Sequence, residues 1–573
     1  MSSGRRTAVL RRTVSLAACL AACTGDASRP PQEAAPAAGV EAEAEIGAGP
    51  RFTDVTEEAG IRFRHRAGGG VKDYIVEAKG GGGALFDADG DGWLDLYLVN
   101  GGTLEEDDPA LSADALYLNR RDGTFAETGL PAAAGEGWGM GASAADVDND
   151  GDTDLVVTRL DGGSLYRNLG AQEPRYAADP ASLDLGGWCT GAAFGDYDLD
   201  GDLDLYVARY VDFDVDAIPP RAGMWKGLMV FAGPMGLPAH ADALLRNDGG
   251  RFVEVSRSAG VAGVDPTYGL GVVFTDYDGD GGPDIYVAND SAPNYLFRNE
   301  GGGGGPRFRE AAWEARAAFS AEGTAQAGMG IARGDYDGDG DGDLFVTHFE
   351  DDYNTLYRNE GGGRFTVASN EAGLAQVGLP GLAFGTCFLD ADNDGDLDLV
   401  VGQGHVYPQV RLLDGPRYAQ PDLLLLNLGA AAGHRFEPAP GGDLGRPGVT
   451  RGLMKGDWDE DGDVDLVAMR LDDRPALLRN DGPLAGHWLI VDLRGTAANR
   501  DAVGALVTVT AGGLSRTVEI AAGGSYLSHN DRRAHFGLGP WSTVDAVEVR
   551  WPGGGSQRVG PMAADRVVRI RQP

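Results

Sequence analysis

Short apolar runs punctuate the chain from residue 83 to residue 480, and they come in sets. One run in each set is β-rich and ends on a polar residue: LYLVN, LVVTR, LYVAR, IYVAN, LFVTH, LVVGQ and LVAMR. Another follows as LYLN, LYRN, LLRN, LFRN, LYRN, LLLN and LLRN. A small-residue run leads the set, as in GMGASAAD, CTGAAFGD, LGVVFTD and GMGIARGD, and RFVEVS, RFREAA and RFTVAS close several of them. Runs of this length, rich in β-branched and aromatic residues and bounded by glycine and asparagine, are strands rather than helices. Four strands per unit of about 40 to 60 residues, seven times over, predict an all-β chain built as a seven-bladed β-propeller.

The ends of the repeat array carry a second prediction. RFTDVTEEAG at 51–60 matches RFVEVSRSAG at 251–260, which closes a repeat, yet it precedes the first one. The seventh repeat lacks such a run and passes from LLRNDG directly into HWLIVDL. Residues 51–58 are therefore expected to supply the outer strand of blade seven and to remove an open sheet edge. From 484 to 573, HWLIVDL, LVTVTA, RTVEIA, VEVRW and RVVRI alternate with period two and predict a small antiparallel β-domain. The organisation read from the chain is a signal peptide over 1–23, a flexible tether over 24–50, the propeller over 51–483 and the β-domain over 484–573.

The polar positions between the first two strands of each set are as regular as the apolar ones. They read D-x-D-x-D-G-x-x-D in all seven repeats. The aspartates are Asp87, Asp89, Asp91 and Asp95; Asp146, Asp148, Asp150 and Asp154; Asp196, Asp198, Asp200 and Asp204; and Asp276, Asp278, Asp280 and Asp284. The last three loops add Asp335, Asp337, Asp339 and Asp343; Asp390, Asp392, Asp394 and Asp398; and Asp457, Asp459, Asp461 and Asp465. Carboxylates one residue apart repel unless a cation sits among them. Three of them around one point, with glycine allowing a sharp turn, form the oxygen shell of a hard divalent ion. The twelfth loop position is Leu98, Val157, Val207, Val287, Val346, Val401 or Ala468, never the bidentate glutamate of an EF-hand. The expected cofactor is Ca²⁺, up to seven ions, with magnesium disfavoured because it keeps several waters.

The net charge of −39 and pI near 4.4 exclude a general nucleic-acid binder. A hydrophobic content of 42% excludes a disordered acidic chain. The last 90 residues are an exception, with ten arginines against seven acidic groups, so opposite charge could dock them on the acidic repeats or leave them a separate binding module. At the N-terminus, Arg5, Arg6, Arg11 and Arg12 precede an apolar stretch from Val14 to Ala22 and the tetrad LAAC ending at Cys23. This resembles a bacterial lipobox, with Cys23 as the lipidated residue; a plain cleaved signal is the alternative. The expected location is exported, as an outer-membrane or cell-surface lipoprotein or a secreted protein, with membrane contact only through the lipid. Cys189 and Cys387 are expected to be buried free thiols.

Thirteen positions after each loop start lie Asn100, Arg159, Arg209, Asn289, His348, Gln403 and Arg470, and eight before the loop start lie Trp138, Trp188 and Tyr268. Alternation along the strand places these groups on the face opposite the acidic loops, where that side of the strand would reach water. Aromatics beside hydrogen-bonding groups suit a glycan or a peptide; the competing reading is that they plug the channel and cap strand ends.

The acidic loops resemble the FG-GAP/VCBS repeats of integrin α-subunit propellers, in which calcium sits in the hairpin between the first two strands of a blade. NRDAVGA (499–505), GGSYLSHND (523–531), HFGLG (535–539) and VEVRWPGG (547–554) look like the ASPIC/UnbV domain. The combination resembles the bacterial relatives of cartilage acidic protein, and the likeness implies fold and calcium more than activity. No G-x-S-x-G, H-E-x-x-H or P-loop is present. The reading is a calcium-binding, surface-tethered binding or adhesion module for a glycan or protein. The alternatives are an enzyme or accessory protein of natural-product biosynthesis, and a structural spacer.

Overall fold

A computed structural model describes residues 49–104, 112–129, 137–170, 174–181, 183–301, 308–415, 417–482 and 486–573. The expected signal peptide, Cys23 and the tether up to residue 48 lie outside the described residues. Among the described residues the chain is all-β in character, with only short helical turns between strands.

Seven antiparallel sheets follow one another, each of four strands in simple up-and-down order. Sheet one begins with Gly83–Phe86 and Asp95–Leu98, and sheet four, complete, is Gly269–Thr275, Asp284–Asn289, Tyr295–Asn299 and Phe308–Glu310. The second strand of each sheet is buried along nearly its whole length, as in Asp284–Asn289. It is covered on both faces by neighbouring sheets, so its sequence runs apolar rather than alternating. One apolar cluster fills each junction between consecutive sheets; Phe86 and Tyr97 of sheet one meet Ala142 and Val157 of sheet two. The seventh junction closes the circle, with Met454 and Val467 of sheet seven against Leu85 and Leu96 of sheet one. The first strands also touch in sequence order, and that of sheet seven touches that of sheet one. This ring of four-stranded sheets is consistent with a β-propeller.

Sheet seven takes its fourth strand from the other end of the chain. Phe52, Thr53 and Asp54 pair antiparallel with Asn480, Arg479 and Leu478, so the outermost edge is covered by a segment that precedes sheet one.

Residues 487–571 form two larger sheets and a two-stranded one, Thr543–Val544 with Met562–Ala563. His487–Arg494 runs antiparallel to Ala534–Gly539 and parallel to Arg566–Arg571, while Leu514–Glu519, Leu506–Ala511, Ala546–Arg550 and Ser556–Val559 form the second sheet. Burial alternates along Leu506–Ala511, with Val507, Val509 and Ala511 inside, and these meet Leu489, Val491 and Phe536 in one core.

This region sits on the acidic-loop side of the ring and sends one segment into its centre. Ser528–His529 adds to sheet one as a fifth strand, parallel to Gly83–Phe86. Tyr526 and Leu527 join the central apolar cluster beside Met140, Leu270 and Phe384 of the inner strands and Met329 just before one. A Cβ on Gly141 would stand 2.4 Å from the Leu527 carbonyl oxygen, so glycine here is what lets the segment in. From the opposite side, the short helix Ile75–Ala78 and residues of the 211–237 insertion fill the rest of the centre.

Candidate metal centres

Each acidic loop folds on the same scaffold of its own side chains. The amide of the sixth residue donates to the first aspartate in all seven, as in Gly92 to Asp87 Oδ2 at 3.0 Å and Gly395 to Asp390 Oδ2 at 2.8 Å. The amide of the seventh donates to the fifth aspartate, again in every loop. The sixth residue is always glycine because its φ lies between 91° and 105°. The fourth residue is also left-handed, including Asn149, Leu199, Asn393 and Glu460.

The ninth aspartate serves as a bracket. In sheet one, Asp95 Oδ2 accepts from the Ala88 amide and Oδ1 from the Asn119 amide, both at 2.8 Å. The Asn119 side chain then donates to the carbonyl of Trp458 in the loop of sheet seven. Equivalent asparagines do the same around the ring: Asn168, Asn247, Asn299, Asn359, Asn427 and Asn480 donate to Ala88, Val147, Tyr197, Tyr277, Tyr336 and Ala391. The sequence pattern assigned these seven asparagines no task; their recurrence as the last residue of the third run in every repeat was the available signal.

What remains of the carboxylates points inward. One oxygen each of Asp87, Asp89 and Asp95 lies within 4.8 Å of the others, and so do those of Asp146, Asp148 and Asp150; Asp196, Asp198 and Asp204; Asp276, Asp278 and Asp284; and Asp335, Asp337 and Asp339, with two further groups of this kind. Burial, reinforced by neighbouring carboxylates, pushes Asp95 up to about 8 and Asp204, Asp284 and Asp343 up to about 9. Asp390, Asp398 and Asp465 stand well above the carboxylate range for the same reasons. Oδ1 of Asp196, Asp198, Asp276, Asp337, Asp392, Asp457 and Asp459 is buried with no hydrogen-bond donor among the described residues. Convergent, acceptor-only and desolvated oxygens are the donor set of a hard cation, so the residues fit calcium. Bound there, calcium would supply positive charge that favours the ionised carboxylates and pins the hairpin.

Arginines share this face. Arg121, in the turn after a third strand, reaches Asp91 at 2.5 Å, and Arg298, on a third strand, reaches Asp278 at 2.7 Å. The C-terminal region adds Arg516 to Asp396 at 2.6 Å, Arg550 to Asp276 at 3.4 Å and Arg500 to Asp146 at 3.6 Å. Part of its cationic surface thus meets the acidic loops, as the docking alternative expected.

The strand-end residues do not form an open ligand face, and this expectation is corrected. Asn100, Arg159, Arg209, Asn289, His348 and Gln403 are buried, as are Trp138 and Trp188; only Arg470 and Tyr268 are half-buried. Two non-local coverings account for it. The segment around Ile75–Ala78 and the insertion after sheet three's second strand fold over the channel mouth, with Trp188 edge-on to Tyr210 and Phe213, and Tyr268 donating to the Leu237 carbonyl. The strand ends are capped from within the sheets. The amides of Asn100, Arg209, Asn289, His348 and Gln403 donate to Asp114, Asp242, Asn294, Asn354 and Asp422, each one residue before a third strand. Arg159 pairs with Asp114 at 3.0 Å. Cys189 and Cys387 are free and buried.

An open aromatic group lies instead at the rim between sheets four and five. Trp313, in the turn of helix after the fourth strand of sheet four, is 72% exposed. It stands edge-on to Phe319 at 5.5 Å over a groove of about 840 Å³ that also presents Glu314, Ser320 and Arg364.

Residues 495–573 match the family model described as ASPIC and UnbV, and residues 87–157, 146–207, 276–346 and 335–401 match the FG-GAP-like repeat. Cartilage acidic protein 1 of Mus musculus is 26% identical over 329 residues, covering 56% of this chain and 47% of that protein. The Homo sapiens protein is also 26% identical, over 56% of this chain and 46% of its own. The chain spans about half the length of these curated relatives. Among solved structures, an Agrocybe aegerita lectin that recognises non-reducing terminal N-acetylglucosamine aligns over 69% of this chain and 86% of its own at 17% identity, with a TM-score of 0.39. A Bacillus licheniformis rhamnogalacturonan lyase aligns over 89% and 92% at 11% identity, with a TM-score of 0.31. The chain carries FG-GAP-like repeats joined to a C-terminal ASPIC/UnbV domain and is a distant relative of cartilage acidic protein 1.

Proposed function

We propose that this protein is a calcium-stabilised binding module of the cell exterior. The seven sheets are the blades of a seven-bladed β-propeller over 51–483, their hairpins take up to seven Ca²⁺ ions, and Cys23 carries the anchor that holds the module at a membrane surface. The observation that carries the reading is the set of buried carboxylate oxygens left without donors in successive loops of identical construction. Exported loops of this type bind calcium with Kd of about 10⁻⁴ to 10⁻³ M, suited to an environment where calcium is abundant.

The partner is a glycan, met at Trp313 rather than at the strand-end residues. Successive antiparallel strands return the chain to the side opposite the acidic loops after each fourth strand, so Trp313 keeps the side expected for the ligand but moves from the channel to the rim. An exposed indole beside Glu314, Ser320 and Arg364 offers stacking and hydrogen bonds together. Calcium-loaded protein and its Trp313→Ala variant on a glycan array test this. Binding lost in the variant at unchanged Tm supports the glycan reading; no glycan bound by the parent protein removes it and leaves a protein partner.

A further inference from the structure

A second cavity lies on the acidic-loop side, between the first strands of sheets four to seven and the C-terminal domain. Its volume is about 270 Å³, the room of one small molecule rather than of a peptide or sugar chain. Ile331, Phe388 and Val518 give it apolar walls, and Arg550, more than half exposed, marks its outer end. Four of the five cations along its lining have an acid. Arg333 pairs with Glu519, Arg532 with Asp492 and Asp501, Arg533 with Asp531, and Arg550 with Asp276.

Lys455 is the exception. Its ammonium donates to the Phe388 carbonyl at 2.6 Å, and no carboxylate stands within ion-pair distance among the described residues. The lysine is not loosely placed. Its amide donates to Asn530 Oδ1 at 3.0 Å and its carbonyl accepts from the Asp531 amide at 3.0 Å, so the segment that enters the ring holds the backbone beneath it. Lys79, the comparable lysine at the ring centre, has Asp290 at 2.9 Å. Lys455 is half-buried, and the Asp531 carboxylate, taken up by Arg533, lies near enough to favour its charge without touching it, so the ammonium keeps hydrogen-bonding capacity to spare beside a space large enough to hold an anion.

We propose that this cavity binds a small organic carboxylate, its two oxygens taking the remaining protons of Lys455 and its apolar body lying against Ile331, Phe388 and Val518. The site lies across the ring from Trp313 and does not depend on the glycan reading. It is built jointly by the FG-GAP-like repeats and the ASPIC/UnbV domain, so an occupant ties the two together and resists their separation. The first aspartates of loops four to seven reach the lining, and an anion is therefore held better when those loops carry calcium.

The test uses the full chain, calcium-loaded, in thermal melts with sodium acetate, butyrate or benzoate against sodium chloride at equal ionic strength. Butyrate and benzoate are expected to raise Tm in the parent protein and not in Lys455→Met. Crystals soaked in 4-bromobenzoate are expected to show an anomalous bromine peak inside the cavity with the carboxylate on Lys455, a result that needs no variant to fold. A Tm unmoved by every carboxylate, an equal rise in Lys455→Met, or bromine found only on the outer surface would each overturn the proposal.

Discussion

The Asn119 side-chain amide donates to the carbonyl of Trp458 at 2.8 Å, across 339 residues of sequence. It is the bond by which sheet one grips sheet seven, and it is the same bond that joins every other pair of neighbours. At the closing junction this bond acts beside the clasp strand Phe52–Asp54, which no other junction has. Removing the asparagine leaves a buried carbonyl without its donor, which costs about 1 to 3 kcal/mol. Asn119→Ala and Asn299→Ala are therefore expected to lower stability by similar amounts in denaturant titrations, the first at the closing junction and the second inside the array. A closing-junction variant that melts like the parent protein would mean that the clasp strand Phe52–Asp54 alone secures closure.

Chelation should act on every sheet at once. With the cation gone, the carboxylates of each loop repel one another in a desolvated hairpin, and EDTA is expected to lower Tm markedly, with recovery on adding Ca²⁺ but not Na⁺ at matched ionic strength. Asp339→Ala acts on one loop. Asp339 Oδ1 accepts the Asp341 amide at 2.9 Å, and its own amide donates to Asp335. The variant should lose about 1 to 2 kcal/mol and show faster hydrogen exchange confined to the hairpin between Ile331–Gly334 and Asp343–Val346.

The acidic loops and the strand order were legible because both are local. A glycine at φ near 95° and carboxylates two residues apart leave their mark within nine residues. The clasp was legible for a related reason: RFTDVTEEAG carries the side-chain pattern of a fourth strand wherever it stands in the chain. The covered channel was not legible. His348 and Arg209 end their strands on polar residues, as solvent-facing strands do, and their burial is set by Ile75–Ala78 and by residues 211–237, segments with no repeat to align. Charge left docking of the C-terminal domain open as one of two readings, but the segment it sends into the ring was not legible, for the same cause. Its entering segment offers only Tyr526 and Leu527 as apolar residues, and their partners come from sheets far apart in sequence.

Tyr526 is fully buried at the centre of the ring, edge-on to Phe384 at 5.0 Å, with its hydroxyl donating to the Lys79 carbonyl at 2.8 Å. Tyr526→Ala empties this position, and an aromatic-to-alanine change in a core costs about 3 to 5 kcal/mol. Because the residue belongs to the C-terminal segment but packs on inner strands, the variant should destabilise the ring as well. Intrinsic fluorescence and far-ultraviolet circular dichroism are expected to report one shared transition at lower temperature. Two separated transitions, with the ring's unmoved, would show the segment to be a passive tenant.

Acid should weaken the ring through its buried histidines. Burial holds His348 down to about 4 and His65 down to about 3, in both cases favouring the neutral ring; the Ala327 backbone and then the Asp290 carboxylate oppose this at His348, and Lys72 and Arg451 reinforce it at His65. The unfolded chain protonates the same imidazoles near 6.5. Below that value the unfolded state binds more protons than the folded one, so the contribution is complete above about pH 6.5 and is lost as pH falls toward 4. For His348 the difference is worth up to roughly 3 kcal/mol. His348→Asn keeps a polar side chain that does not titrate there. Measured in calcium-loaded protein, its stability is expected to fall less steeply than the parent's between pH 6.5 and 4, with the two curves parallel above pH 7. Curves that stay parallel down to pH 4 would mean that His348 gains its proton in the folded ring as readily as in the unfolded chain.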